Sequence, residues 1–186
     1  ADSDPYLTAS SIVLAIVHPF FFMVPFGLYF IVKKRLSTSI ALWLFPIFWV
    51  TFEWAHNLGE LSYPWLTLGN TQIYNSLWVQ FVDITGVWGA SLLLATMNVI
   101  LTKLILNFSK FKHFSDFVKH PQNSILITSA LLIIIIPLLY GVVRISQFKH
   151  EDLIKNKPTV SVGLIQPAIN PWRKWEISVD EMIKLQ

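Results

Sequence analysis

Residues 124–143 read SILITSALLIIIIPLLYGVV, twenty positions without one Asp, Glu, Lys or Arg, and they contain the unbroken aliphatic run Leu131–Ile136. A helix on the surface of a soluble domain keeps a polar stripe for water. This stretch has none. At ~1.5 Å rise per residue its length matches the ~30 Å of hydrocarbon in a bilayer. It predicts a transmembrane helix from about Ser124 to Val143.

Three further stretches read the same way. Thr8 to Val32 carries no charged side chain and holds Pro19 and Pro25, where a kink is expected. Thr38 to Asn57 contains Pro46 and, near its end, Glu53. Ile84 to Leu106 contains Lys103, which is long enough to snorkel to a membrane surface. The expected architecture is an α-helical multi-pass membrane domain with four transmembrane helices.

Composition agrees. Hydrophobic residues make up 54% of the chain and charged residues 13%, against about 25% charged in soluble domains. The eight Trp and fourteen Phe suit interfacial belts and packing in lipid. The absence of cysteine excludes disulfides, thiolate metal sites and a Cys nucleophile within these residues. The net charge of +3 is small, and its Lys and Arg residues sit in short clusters between apolar runs. They read as orientation signals and not as a nucleic-acid surface.

Those clusters set an expected topology. Lys33, Lys34 and Arg35 follow the first span, and Lys110, Lys112 and Lys119 lie between the third and fourth. Both connections are expected in the cytoplasm. The connection from Leu58 to Phe81 has no Lys or Arg, and the N-terminal tail has only Asp2 and Asp4. These belong outside, as does everything after Arg144. Lys149, Lys155 and Lys157 pull mildly the other way. Ala1 follows no basic n-region, so the first apolar run is not expected to be a signal peptide. Ala1 and Gln186 both read as cuts.

The outer connection is apolar: Tyr63, Pro64, Trp65, Leu66, Leu68, Ile73, Tyr74, Leu77, Trp78 and Phe81 all lie in it. A solvated loop does not carry so many large apolar groups. It is expected to dip into the outer leaflet or to pack against another domain, with a short interfacial helix over about Asn75 to Val82. Beyond the fourth span the pattern changes. His150 to Pro158 is polar, Thr159 to Gln166 alternates as a strand does, and Asn170 to Trp175 is a turn-rich arm. Ser178 and Glu181 form a capping box that opens a helix. The expected organisation is a helical domain over 1–146, a linker over 147–158 and the truncated start of a soluble α/β domain over 159–186.

Three blocks carry a family resemblance: Glu53-Trp54; Tyr63-Pro64-Trp65-Leu66-Thr67-Leu68-Gly69-Asn70-Thr71-Gln72; and Asp83-Ile84-Thr85-Gly86-Val87-Trp88-Gly89-Ala90-Ser91, with Asn98 further along. Their order and spacing resemble apolipoprotein N-acyltransferase, whose pattern reads E-W, then F-P-W-L-x-L-G-x-x-Q, then a G-V-x-G-x-S turn into a helix. Past the linker, Val162-Gly163-Leu164-Ile165-Gln166, Asn170-Pro171 and Lys174-Trp175 look like the first strand and arm of that family's nitrilase-like domain. His56 stands where the family often has Arg, and Tyr63 where it often has Phe. The family's Glu, Lys and Cys triad lies further along than this chain reaches, so no residue here is expected to be catalytic.

The resemblance implies a bacterial inner-membrane enzyme with its soluble domain in the periplasm. It implies a phospholipid acyl donor, an apolipoprotein acceptor and a Cys thioester between them. A monomer without cofactor or metal is expected. The substrate-contact candidates are Trp175 at the active-site entrance, beside Arg173 and Lys174, and Trp65, Pro64 and Tyr63 in the outer loop. Trp65 reads equally as a belt tryptophan. Glu53 is an ionisable group in an apolar span, either functional or a hydrogen-bonding anchor near the surface. Gly69 and Gln72 suit loop geometry and backbone hydrogen bonding. Asp83 and Asn98 suit helix-start and interhelix bonds. Glu53 and His56 form an E-x-x-H pair without the second copy a metal bundle needs. Competing classes are a transporter, where broken helices with a buried Glu occur, and an anchor for a soluble domain.

Overall fold

A computed structural model describes residues 5–59, 62, 64–148 and 161–164. The chain divides into two units, Ala1–Lys149 and His150–Gln186. Among the described residues the first holds five helices: α1 (Pro5–Arg35), α2 (Thr38–His56), α3 (Val82–Phe108), the short α4 (Phe114–Lys119) and α5 (Pro121–Phe148). Three 3-10 turns, Pro64–Leu66, Leu68–Gln72 and Trp78–Phe81, shape the connection between α2 and α3.

Local sequence explains the breaks. α1 ends on Lys33, Lys34 and Arg35, cations that suit the negative end of a helix dipole. Ser37 is extended and accepts the Ile40 N–H on its Oγ at 3.2 Å, which caps α2. Pro19 and Pro25 both lie inside one continuous α1. α3 takes its sharpest bend at Gly86, whose φ of 66° is open to glycine and strained for other residues. That bend sets the first turn, with Asp83, apart from the rest of α3.

The helices run antiparallel, and their contacts follow from side-chain type. α1 and α2 meet through rings: Phe22 stacks on Trp49 at 5.6 Å, Phe26 lies 5.3 Å from Phe45, and His18 lies 5.4 Å from His56. Ala41, Ala90, Ser91 and Ala95 are buried, small residues of the kind that let membrane helices approach closely. At the far end, Phe117 of α4 packs edge-on against Phe108. Asn123, fully buried, donates to Phe117 O at 2.9 Å and accepts from Asn107 at 3.0 Å, which ties α3, α4 and α5 together.

Outside these seams the helices are covered in exposed apolar groups, among them Phe20, Ile105, Ile125 and Ile136. Four helical stretches are long and apolar enough to cross a bilayer: Ser11–Arg35, Thr38–His56, Trp78–Phe108 and Pro121–Phe148. The chain is a multi-pass membrane protein, and lipid is the solvent that makes such a surface favourable.

Two expectations change. The short helix expected over Asn75 to Val82 is a 3-10 turn, Trp78–Phe81, that runs directly into α3. The strand expected over Thr159 to Gln166 is not seen where it is described: Ser161–Leu164 is exposed and irregular, and no strand occurs among the described residues. Alternation supplies a face, but a strand also needs a neighbour for its ladder hydrogen bonds. The remainder of 159–186, and all but two residues of the 147–158 linker, lie outside the described residues.

Candidate functional site

The connection between α2 and α3 is built from its anchors outward. Glu53 is 4% exposed in the last turn of α2. Its Oε1 accepts from Trp49 Nε1, one helical turn back, at 2.8 Å and from the backbone N–H of Leu68 at 2.7 Å. At the next residue, the Gly69 N–H donates to Ser91 Oγ of α3 at 2.9 Å. A side chain at Gly69 would strike Val87 O and crowd Ala90, so glycine is what allows this backbone to lie flat on α3. Thr67 Oγ1 and Asn70 Nδ2 both donate to Pro64 O at 2.8 Å, closing the first turn on itself.

The second half of the loop is held by α5. Trp78 is buried and donates from Nε1 to Ile133 O at 3.3 Å. Gly141 faces the Leu77 backbone, where a Cβ would overlap Leu77 O. Asp83 then closes the corner by accepting from Arg144 Nε at 2.7 Å and from Tyr140 at 3.0 Å. The loop therefore packs on helices of its own unit. Its remaining apolar side chains turn outward as a rim: Trp65 is 64% exposed, Ile73 70% and Tyr74 97%.

Beside Glu53 lies a small crevice bounded by His18, Phe22, His56, Asn57 and Thr67. Glu53 Oε2, His56 Nε2 and Asn57 Oδ1 are buried there without a hydrogen-bond partner. Such groups are satisfied when one water bridges them. Among the described residues no three His, Cys, Asp or Glu side chains converge as metal ligands.

The sequence-derived candidates fall as follows. Glu53, Pro64, Trp65, Gly69 and Gln72 all belong to this clamped loop or its anchor. Gln72 donates to Thr71 Oγ1 at 3.2 Å. Tyr63 and Trp175, with Arg173 and Lys174, lie outside the described residues. Asp83 bonds across to α5, but Asn98 donates to Leu94 O at 2.9 Å within its own helix and makes no interhelix bond there. Sequence reasoning missed Trp49, Ser91, Tyr140 and Arg144. Two of them carried a signal: Trp49 stands four residues before Glu53 and so on the same helix face, and Ser91 closes the third resemblance block.

Residues 3–100, which include α2, the clamped loop and the start of α3, match the family model described as the apolipoprotein N-acyltransferase N-terminal domain. The chain belongs to the apolipoprotein N-acyltransferase family. It is 36% identical to the apolipoprotein N-acyltransferase of Chlorobaculum tepidum over 167 residues, 89% of this chain and 29% of the relative. It is 29% identical to that of Geobacter metallireducens over 91% of this chain and 30% of the relative. Similarity to apolipoprotein N-acyltransferase 2 of Treponema pallidum is 30% over 82% of this chain and 25% of the relative. The chain thus spans less than a third of the length of these apolipoprotein N-acyltransferases. No solved structure matches it.

Proposed function

We propose that this chain is the membrane part of an enzyme that moves an acyl chain from phospholipid to the N-terminal diacylglyceryl-cysteine of apolipoproteins. The observation that carries the reading is the α2–α3 loop. Its backbone is pinned by Glu53, Ser91 and Gly141 while Trp65, Ile73 and Tyr74 face outward. A rigid backbone with an exposed apolar rim suits a membrane-surface platform for acyl chains. Among the described residues the buried polar groups His18, Glu53, Thr67 and Ser91 gather towards the loop end of the bundle, and Asn123 lies at the other. A transporter concentrates such groups at mid-depth, and a plain anchor has no use for a clamped loop.

In this reading the basic end of the bundle is cytoplasmic and the clamped loop periplasmic, in a bacterial inner membrane. Arg144, at the loop end, is paired with Asp83. Residues 159–186 would open a nitrilase-like domain on the same side, with Trp175 at its entrance. Chemistry belongs to a Cys thiolate further along the full-length protein. It attacks the phospholipid acyl ester and releases a lysophospholipid. The lipoprotein α-amine then attacks the thioester, forming the amide and returning the thiol. Two half-reactions at the outer surface need both lipid-anchored substrates to reach one entrance, which Trp65, Pro64 and Tyr63 would line.

The test is acyl transfer by the full-length protein carrying Trp65→Ala, with acyl-enzyme formation from labelled phospholipid and transfer to a lipopeptide measured separately. Reduced turnover with an unchanged melting temperature is expected. Full activity in the variant would refute a substrate role for the rim.

A further inference from the structure

At the end of the bundle opposite the clamped loop, α2, α3 and α5 border a half-open cavity of about 460 Å³. That is the size of a small-molecule site. Its polar side holds Lys103 and Lys110, with Ser39 at the start of α2 and Gln122 at the start of α5. Leu42 and Trp43 form an apolar wall.

The charge balance of this cavity is one-sided. No carboxylate lines it. Among the described residues the ion pair is Asp83 with Arg144, at the other end. Lys103 Nζ donates to Ser39 Oγ at 2.7 Å and sits 5.4 Å from the centre of the Trp43 ring. Lys110 Nζ donates to Asn107 Oδ1 at 2.9 Å. An ammonium has three donors, so each lysine is held in place with donors left over. Lys103 lies on α3 and Lys110 two residues past its end, and both line this cavity. Two oriented cations above an aromatic and aliphatic wall fit an amphiphile with an anionic head.

We propose that this cavity binds one anionic phospholipid of the cytoplasmic leaflet, its phosphodiester between Lys103 and Lys110 and its acyl chains along Leu42 and Trp43. The leaflet rests on the topology proposed above; the binding does not. Basic pockets between spans on the cytoplasmic side suit such head groups. This lipid lies at the far end from the clamped loop, so it is distinct from the acyl donor and holds α2, α3 and α5 together.

The test uses delipidated full-length protein in neutral detergent, titrated with phosphatidylglycerol brominated on its acyl chains. Binding is read as tryptophan quenching that Trp43→Phe removes. Phosphatidylglycerol should quench at lower concentration than brominated phosphatidylcholine, and glycerol phosphate should not displace it. Lys103→Gln with Lys110→Gln should weaken binding roughly 25-fold, about fivefold for each charge. Lys103→Arg with Lys110→Arg should retain it, which separates loss of charge from loss of fold. Equal quenching by both lipids, or no change in the Gln pair, overturns the site, as does equal loss in the Arg pair. Labelling of Ser109→Cys by an impermeant thiol reagent in intact cells overturns the leaflet alone.

Discussion

The backbone N–H of Leu68 donates to Glu53 Oε1 at 2.7 Å, so a carboxylate at the end of α2 holds a loop residue fifteen positions away. Charge-assisted bonds of this kind are each worth about 1.5–3 kcal/mol when buried. Glu53→Ala loses two of them and leaves the Leu68 and Trp49 donors unpaired. It should lower stability by roughly 3 kcal/mol, with Glu53→Gln falling between it and the native protein. Thermal unfolding in detergent and protease cleavage after Trp65 read the two effects. An unchanged melting temperature in Glu53→Ala would show that the clamp is incidental.

Glycines provide a sterically clean comparison. Added Cβ atoms at Gly69 and Gly141 meet the backbone oxygens of Val87 and Leu77, whereas one at Gly27 meets nothing within 4 Å. Gly69→Ala and Gly141→Ala should each cost about 1–3 kcal/mol, as overpacking does. Gly27→Ala should be neutral or stabilise by up to ~1 kcal/mol, since alanine restricts a helix less unfavourably. The ranking of three melting temperatures decides it.

Asp83 and Arg144 join α3 to α5 with side chains 33% and 36% exposed. Solvent screens a pair this open, so a double-mutant cycle of Asp83→Asn and Arg144→Gln should give a coupling of only ~0.5–1 kcal/mol. The coupling should shrink in high salt. A value above ~2 kcal/mol that ignores salt would mean the pair is desolvated in the membrane-bound protein.

Topology has a direct assay. Single cysteines at Ser62 and Ser37, in a chain that has none of its own, can be probed in intact cells with an impermeant thiol reagent. Position 62 should label and position 37 should not. The reverse pattern would invert the proposed orientation.

Trp175 and Trp65 are each proposed as a contact for substrate. Trp175→Ala in the full-length protein should slow acyl transfer while costing far less stability than the ~3–5 kcal/mol of a buried Trp. Loss of fold in step with activity would mark Trp175 as a packing residue.

The four spans were legible because charge-free runs of span length have few alternatives in a folded protein. Helix bounds shifted by a few residues: α3 begins at Val82 and not Ile84, since the preceding turn feeds it. The site was legible only in outline. Glu53 was conspicuous as a carboxylate in an apolar run, but its partner Leu68 contributes a backbone N–H, which no residue identity reveals. Ser91 lies 22 residues from Gly69 and Arg144 lies 61 from Asp83. Pairings at that distance are set by how helices pack. The apolar outer loop suggested burial in lipid or against another domain. Part of it packs on α3 through Gly69 and on α5 through Gly141, while Trp65, Ile73 and Tyr74 stay exposed.

Gly141 admits the Leu77 backbone, and Trp78 reaches Ile133. Both partners on α5 leave the ribosome well after the loop that needs them. Gly141 follows Leu77 by 64 residues. At the usual ~5–20 residues per second of synthesis that is a delay of roughly 3–13 s. Through that interval the loop has one of its two walls missing. Its final shape therefore waits on α5, which makes the placing of that helix the step that completes the loop.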